Sequence, residues 1–210
     1  MTLDFVQNAK ELFSAHFEVL HHGQIIGQMS LTQASPLHRT WSGQCFGREI
    51  SMTDIPRKAA GLTGKILWPY SIAINSCEIG TVYQTRYKAG LLHSFDYVQM
   101  RLAGRQYDLF SIGFGKDGAK APIYCGDRQR ALMEKPAVVY NDLHCYHITA
   151  ADRDDGLAAL LFCCYLYASS AFRAGNKVVR SVEKNYTHTT NKRLLEKYDP
   201  LFKELYTDKN

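Results

Sequence analysis

The rhythm of hydrophobic and polar positions changes twice along this chain. Over 3–15, Leu3, Val6, Ala9, Leu12 and Phe13 recur at helical spacing, which predicts a short amphipathic helix or an extended arm. From 16 onward the rhythm is that of strands. Residues 16–20 and 24–31, separated by His22-Gly23, read as a hairpin. The stretch 32–62 is irregular, contains Pro36 and Pro56, and holds one strand pair near 40–46 and 49–52. Between 64 and 150 strand signals recur roughly every eight to twelve residues. They fall at 66–74, 78–87, 94–102, 105–113, 120–125, 128–134, 137–141 and 145–149. Turn residues separate them: Asn75-Ser76, Ala89-Gly90, Ala103-Gly104, Lys116-Asp117-Gly118, Gly126-Asp127 and Asn141-Asp142. A run of hairpins uninterrupted by helix-length segments predicts an antiparallel sandwich or barrel. Ile26-Gly27 and Ile79-Gly80, each inside a strand, match as an internal repeat would.

The second change follows the acidic turn at 152–155. No charge occurs until Arg173, and the sixteen residues 157–172 are apolar on every side rather than striped. A helix of that kind must be buried in protein or in lipid. It would span roughly 24 Å at 1.5 Å per residue, short of the ~20 apolar residues that cross a bilayer core, and Ser169-Ser170 shortens it further. Beyond it, Thr190 or Asn191 can cap a helix through 198, and Asp199-Pro200 can open another over 201–206. The expected organisation is an N-terminal helix or arm at 1–15, a barrel at 16–174 that includes a core helix at 156–174, and a basic helical tail at 175–210.

Composition narrows the class. With 46% apolar and 21% charged residues among 210, the chain is neither disordered, collagen-like nor a polytopic membrane protein. Thirteen tyrosines and ten phenylalanines favour strands. The start, with Asp4 early, lacks a basic run followed by an apolar one, so no secretory signal is read. The six cysteines form no CxxC pair and read as free thiols of a cytosolic protein. The net charge of +5 is uneven: 173–210 holds nine Lys/Arg against five Asp/Glu, and 1–172 holds sixteen against fifteen. A basic tail suits nucleic acid, acidic lipid or an acidic partner, and the interleaved Glu183 and Glu196 equally suit a plain solvated helix face.

Many short antiparallel strands followed by one uniformly apolar helix resemble the tubby-like barrel superfamily, which includes tubby C-terminal domains, phospholipid scramblases and LURP-one-related proteins. The likeness runs from about 66 to 172. It is carried by Ile79-Gly80-Thr81-Val82, Tyr107-Asp108-Leu109-Phe110, Pro122-Ile123-Tyr124, the run from Arg128 to Lys135 and the run from Leu143 to Ile148. These stretches look more like bacterial members than animal tubby proteins. The resemblance implies a mainly β fold: a closed antiparallel barrel around a central apolar helix, with short flanking helices. It also implies phosphoinositide binding through basic residues on the barrel, although no residue of that site can be matched here one for one.

Few motifs carry chemistry. Residues 113–118 match GxGxxG, but the strand signal that follows, with Pro122 inside it, makes this a hairpin turn rather than a phosphate cradle. His144, Cys145 and His147 are the densest set of metal-ligand types. On a strand, 145 and 147 share a face and 144 takes the other, so a zinc site would need a further ligand such as His93. Cys45 could pair with a distant histidine as a nucleophile. No catalytic residue, metal or cofactor is assigned. The N-terminal irregular segment carries Arg39, Trp41, Arg48, Arg57, Lys58 and Lys65. Arg173, Lys177, Arg180 and Lys184 are spaced to form one stripe of a basic helix, the arrangement that meets anionic headgroups. The expected function is a non-enzymatic binding module, cytoplasmic or peripheral at the inner membrane surface. Its partner would be an anionic phospholipid surface or a protein, with no nucleic acid. Two alternatives stand beside it: a scramblase-like membrane protein with 157–172 inserted, and a small-ligand or metal-binding enzyme using His144, Cys145 and His147.

Overall fold

Tight turns decide where this chain reverses. His22-Gly23, Phe46-Gly47, Asn75-Ser76 and Ala103-Gly104 each place two successive residues at positive φ, the backbone of a two-residue hairpin whose twist matches its strands. The computed structural model describes residues 1–35, 38–56, 67–88, 94–175, 183–185 and 192–206. Its strands are β1 (Thr2–Lys10), β2 (Ser14–His21), β3 (Gln24–Ser35), β4 (His38–Cys45), β5 (Arg48–Asp54), β6 (Leu67–Ile74), β7 (Cys77–Lys88), β8 (Ser94–Leu102), β9 (Arg105–Leu109), β10 (Ile112–Gly113), β11 (Ala119–Cys125), β12 (Arg128–Lys135), β13 (Val138–Tyr140), β14 (Cys145–Ala150) and β15 (Glu183–Asn185). Twelve of them close into an antiparallel barrel in the order β11-β12-β14-β1-β2 and onward to β9. β9 then pairs back onto β11 through Leu109↔Ile123 and Tyr107↔Cys125. Closure removes the free edges of the barrel wall itself.

Strict alternation of strand direction sends the turns at 22–23, 46–47, 75–76, 103–104 and 126–127 to one end of the barrel, the turn end. The C-terminal ends of β1, β3, β5 and β7 lie at the other, the long-loop end. At the turn end β3 and β7 share a device. Val19 pairs with Gly27 and Leu20 with Ile25, so Ile26 bulges; Ile72 pairs with Gly80 and Ala73 with Glu78, so Ile79 bulges. A bulge bends its strand and tightens the twist. The glycine that follows lets the next strand come close: a Cβ on Gly27 would stand 2.5 Å from the Gln44 carbonyl oxygen, and one on Gly80 would stand 2.0 Å from that of Arg101. The Ile-Gly match in the sequence is this bulge-and-glycine pair. β12 bulges at the corresponding place, at Arg130, between Ile123↔Ala131 and Tyr124↔Gln129.

The first residues are not a helix or arm outside the barrel. They are β1, a wall strand between β14 and β2. Its inward positions are Leu3, Phe5 and Gln7. The polar Gln7 breaks the apolar alternation that would have revealed period two. Its side chain is satisfied inside the barrel, donating to Tyr167 Oη at 3.0 Å and accepting from the His144 backbone N–H at 3.0 Å.

β14 delivers the chain to the turn end, where α1 (Arg153–Leu166) begins and runs back through the lumen. Asp152 caps it, its Oδ1 accepting from the Asp155 N–H at 2.9 Å. Every residue of 155–165 is buried. The helix was expected over 156–174. It starts three residues earlier, and past Leu166 it widens into a π-helical turn, Tyr167–Ala171. Ser169 and Ser170 hydroxyls donate to the Leu166 carbonyl at 3.3 and 2.5 Å, competing with the backbone donors of a regular helix. Phe5, Phe17, Trp41 and Tyr167 cluster around this exit with ring centroids 4.3 to 6.2 Å apart: Phe5 stacks on Phe17, and Tyr167 meets Phe17 and Trp41 edge to face. Residues 157–165, 167, 168 and 172 are thus buried inside protein, while Ser170 is exposed. No helix among the described residues is long and apolar enough to cross a membrane.

The C-terminal residues that are described pack against the outside of the wall. A 3₁₀ turn, Lys192–Lys197, buries Leu194 against Phe110 and Ile112, and the Lys197 ammonium sits 5.5 Å from the ring centroids of Phe110 and Tyr124. Then α2 (Phe202–Tyr206) buries Phe202, and Lys203 reaches Glu134 on β12 at 2.7 Å. Lys184, expected on a basic helix, lies instead in the short strand β15, paired with Val139 of β13.

Candidate functional site

Among the described residues, α1 fills the lumen of the barrel. Leu157, Leu160, Leu161 and Phe162 of α1 meet the inward rows of the wall, and all are buried. What the molecule can offer is its two ends and its outer face.

At the turn end, charges gather around the N-terminus of α1. The fully buried Asp155 accepts from Arg130 Nε at 2.7 Å and Tyr107 Oη at 3.1 Å, with Arg105 3.9 Å away. The bulge at Arg130 turns its guanidinium onto both Asp155 and Asp152. Burial pushes the Asp155 carboxyl up, and the bond from Arg130 opposes it. Burial likewise pushes the Tyr107 phenol up, assisted by the Asp155 charge. Arg48 pairs with Asp154 at 3.3 Å, and Arg153 donates to the Phe46 carbonyl with its guanidinium over that ring. A cavity of about 140 Å³ opens here beside Arg48, Arg105, Tyr107 and Asp154. Arg48, Arg105 and Arg130 already face carboxylates and Arg153 a carbonyl, so these contacts tie the helix into the barrel.

The long-loop end is different. Leu12, Phe13, Trp68, Tyr87 and Tyr140 are 48 to 64% exposed there. Arg39 lies over the Trp68 ring at 5.8 Å, donates to the Ala168 carbonyl of the π turn and to Gln33 Oε1 at 3.0 Å. Arg173 leaves the plug at this end and is exposed. Next to it the Gly175 N–H donates to the Leu12 carbonyl at 2.7 Å. A cavity of about 190 Å³ lies beside Trp68, Gln84, Tyr97 and Tyr165. In the sequence, 55–66 and 173–182 hold Arg57, Lys58, Lys65, Arg173, Lys177 and Arg180; of these six, Arg173 is among the described residues.

The sequence-derived candidates separate accordingly. Of the expected basic stripe, Arg173 is at the long-loop end, Lys184 is on a strand, and Lys177 and Arg180 lie outside the described residues. Arg39 and Arg48 sit at opposite ends of the barrel, Trp41 is in the core, and 57, 58 and 65 lie outside the described residues. Residues 113–118 form a hairpin turn, with Gly113 paired to Ala119 and the Phe114 N–H bonded to the Gly118 carbonyl. Cys45 is fully buried, and burial pushes its thiol up to about 12, which disarms it as a nucleophile. His144 points inward, its ring edge-on to Tyr167 at 5.3 Å, while Cys145 and His147 point outward. The three cannot share one ion, His93 is outside the described residues, and no group of three or more His, Cys, Asp or Glu among the described residues is arranged to hold a metal. The exposed aromatic residues of the long-loop end were missed, because exposure of Trp68 or Tyr140 depends on strand register and on which end a connection reaches.

Comparison with protein-family models, with curated proteins and with solved structures returned no match.

Proposed function

We propose that this protein is a non-enzymatic binding module of the tubby-like type that docks reversibly, long-loop end first, on anionic phospholipid membranes. The observation that carries this reading is the gathering of Leu12, Phe13, Trp68, Tyr87 and Tyr140 in exposed positions at one end of the barrel. Soluble proteins rarely leave such a group uncovered without use. Aromatic and leucine side chains are the residues that enter the headgroup layer, and basic residues nearby each add about 1 kcal/mol near an anionic surface. Arg39 and Arg173 stand at this end, and the sequence stretches 55–66 and 173–182 carry six basic residues and no acid. The tubby-like affiliation is supported by a closed barrel filled by its own apolar helix, the architecture the resemblance implies. A filled lumen leaves recognition to the outer surface.

The chain contains its own probe. It has two tryptophans, Trp41 at 0% and Trp68 at 53% exposure. Adding vesicles that contain an acidic lipid should shift Trp68 emission to the blue and carry the protein into the pellet. Neutral vesicles should do neither, and Trp68→Phe should abolish the shift. Equal binding to both vesicle types, or none to either, contradicts the reading.

A further inference from the structure

The outer face of β14 carries a cluster that the docking surface does not use. Cys145 and His147 point outward on either side of the inward Tyr146. Cys145 Sγ lies 3.9 Å from His147 Nε2. The other ring nitrogen, Nδ1, lies 2.6 Å from Asp4 Oδ1 on β1, and Asp4 and His147 are direct partners in the sheet. The imidazole is therefore held between a carboxylate and a thiol, the order of groups that activates a nucleophile: the nucleophile, its proton partner, and the group that orients the partner. On the other side, β12 places Glu134 opposite His147, but its carboxylate is engaged by Lys120 at 3.5 Å and Lys203 at 2.7 Å. Asp4 is thus the carboxylate that faces the ring.

The other cysteines set the contrast. Cys45, Cys163 and Cys164 are buried. Cys77 is exposed and Cys125 is partly so, and neither is hydrogen-bonded to a histidine among the described residues. His147 and Asp4 are each about half exposed, at 51 and 49%. The cluster lies on an open wall, away from the cavities at either end, which suits a reagent that arrives, reacts and stays rather than a substrate that turns over.

We propose that Cys145 is a nucleophilic thiol and a site of covalent modification by low-molecular-weight disulfides, with His147 as its proton partner and Asp4 as a positioning residue. In the exchange, Cys145 Sγ attacks one sulfur of the disulfide while its proton is held at His147 Nε2. The disulfide bond of the reagent breaks, a new bond joins Sγ to the attacked sulfur, and the departing thiolate takes up that proton. One disulfide replaces another and one small thiol is released, so no further oxidant is needed. The contact with Cys145, and after the opposing effect of burial the bond to Asp4, push His147 up to about 9, so the ring carries its proton at neutral pH. The proposal does not rest on the lipid reading.

The test uses the folded full chain and oxidised glutathione at pH 7, with the rate at each cysteine mapped by mass spectrometry. Cys77 is the control in the same molecule. Cys145 should react about tenfold faster than Cys77, as expected for a thiol beside a protonated histidine. His147→Gln should bring it to the rate of Cys77. Asp4→Asn should move the midpoint of the pH–rate profile upward, which a merely structural role would not do. Both replaced side chains are half exposed, and circular dichroism confirms that the variants fold. Equal rates at the two cysteines, or a rate at Cys145 unchanged in His147→Gln, overturns the proposal.

Discussion

Replacing Leu161 by alanine tests whether α1 is held inside the wall. Leu161 is completely buried. The change removes three carbons, worth about 2.4 kcal/mol at ~0.8 kcal/mol per buried methylene. A barrel closed by its own hydrogen bonds has little freedom to collapse onto the space left, so a cavity contribution adds to this. The total should be about 3–4 kcal/mol, within the ~2–5 kcal/mol seen for such truncations. That is a substantial fraction of the ~5–15 kcal/mol that stabilises a typical domain. Equilibrium urea unfolding reads it directly, followed by circular dichroism and by Trp41 fluorescence in a Trp68→Phe background. Leu205→Ala, at a side chain 70% exposed, should change stability by less than about 0.5 kcal/mol. If Leu161→Ala costs less than about 1 kcal/mol, the side chain is not enclosed and the reasoning fails.

Other perturbations probe the wall and the charges. Asp155→Asn removes the buried charge that faces Arg130 and leaves one acceptor oxygen where Arg130 and Tyr107 each had one; Arg130 keeps Asp152, so the loss should be about 2–3 kcal/mol by thermal or urea unfolding, below the ~3–5 kcal/mol of a pair broken outright. Asp154→Asn, on a carboxylate 62% exposed, should be nearly neutral, and equal losses in the two variants would contradict the assignment. Gly80→Ala drives a Cβ into the Arg101 carbonyl oxygen and should cost about 1–3 kcal/mol; a neutral result would mean that β7 and β8 do not approach so closely. His147 is raised in the folded state, so its contribution is complete below its unfolded value of ~6.5 and is lost as pH rises through about 9. Because the pair is half exposed, solvent screening limits it to about 1 kcal/mol. The stability difference between the native chain and Asp4→Asn should shrink by that amount from pH 6 to pH 10, and a constant difference would refute it. Comparing the two chains cancels the opposite trend from Lys135, whose amine burial pulls down to about 8.

Much of the wall was legible because hairpins announce themselves locally. Asn75-Ser76 and Ala103-Gly104 mark their turns by composition, and the strands between them alternate inward and outward over most of their length. The plug was legible for a different reason: no polar face exists anywhere along 157–168, so only a fully enclosed position suits it. β1 was misread because its third inward position is Gln7, satisfied by Tyr167 and His144, groups 160 and 137 residues away. The same distance problem hid the Asp4–His147 contact, since a sheet pairing between the first and fourteenth strands has no local signal. The end of the helix was misplaced because the chain stays apolar through Phe172 while the serine hydroxyls at 169 and 170 change its winding. The basic stripe failed at Lys184 because equal spacing describes a helix only where a helix exists, and β13 takes that segment as a strand partner. The exposed aromatic end could not be seen before closure of the barrel fixed which connections share an end.

The central claim is that α1 fills the barrel at all times, in solution and on a membrane. Hydrogen exchange measured with and without acidic vesicles tests it most directly. The account predicts that the amides of 157–166 exchange as slowly as those of β1 and β14, only through global unfolding, and that vesicles leave them unchanged. Rapid exchange of the helix in solution, or protection that changes when lipid is added while the wall strands stay constant, would contradict it.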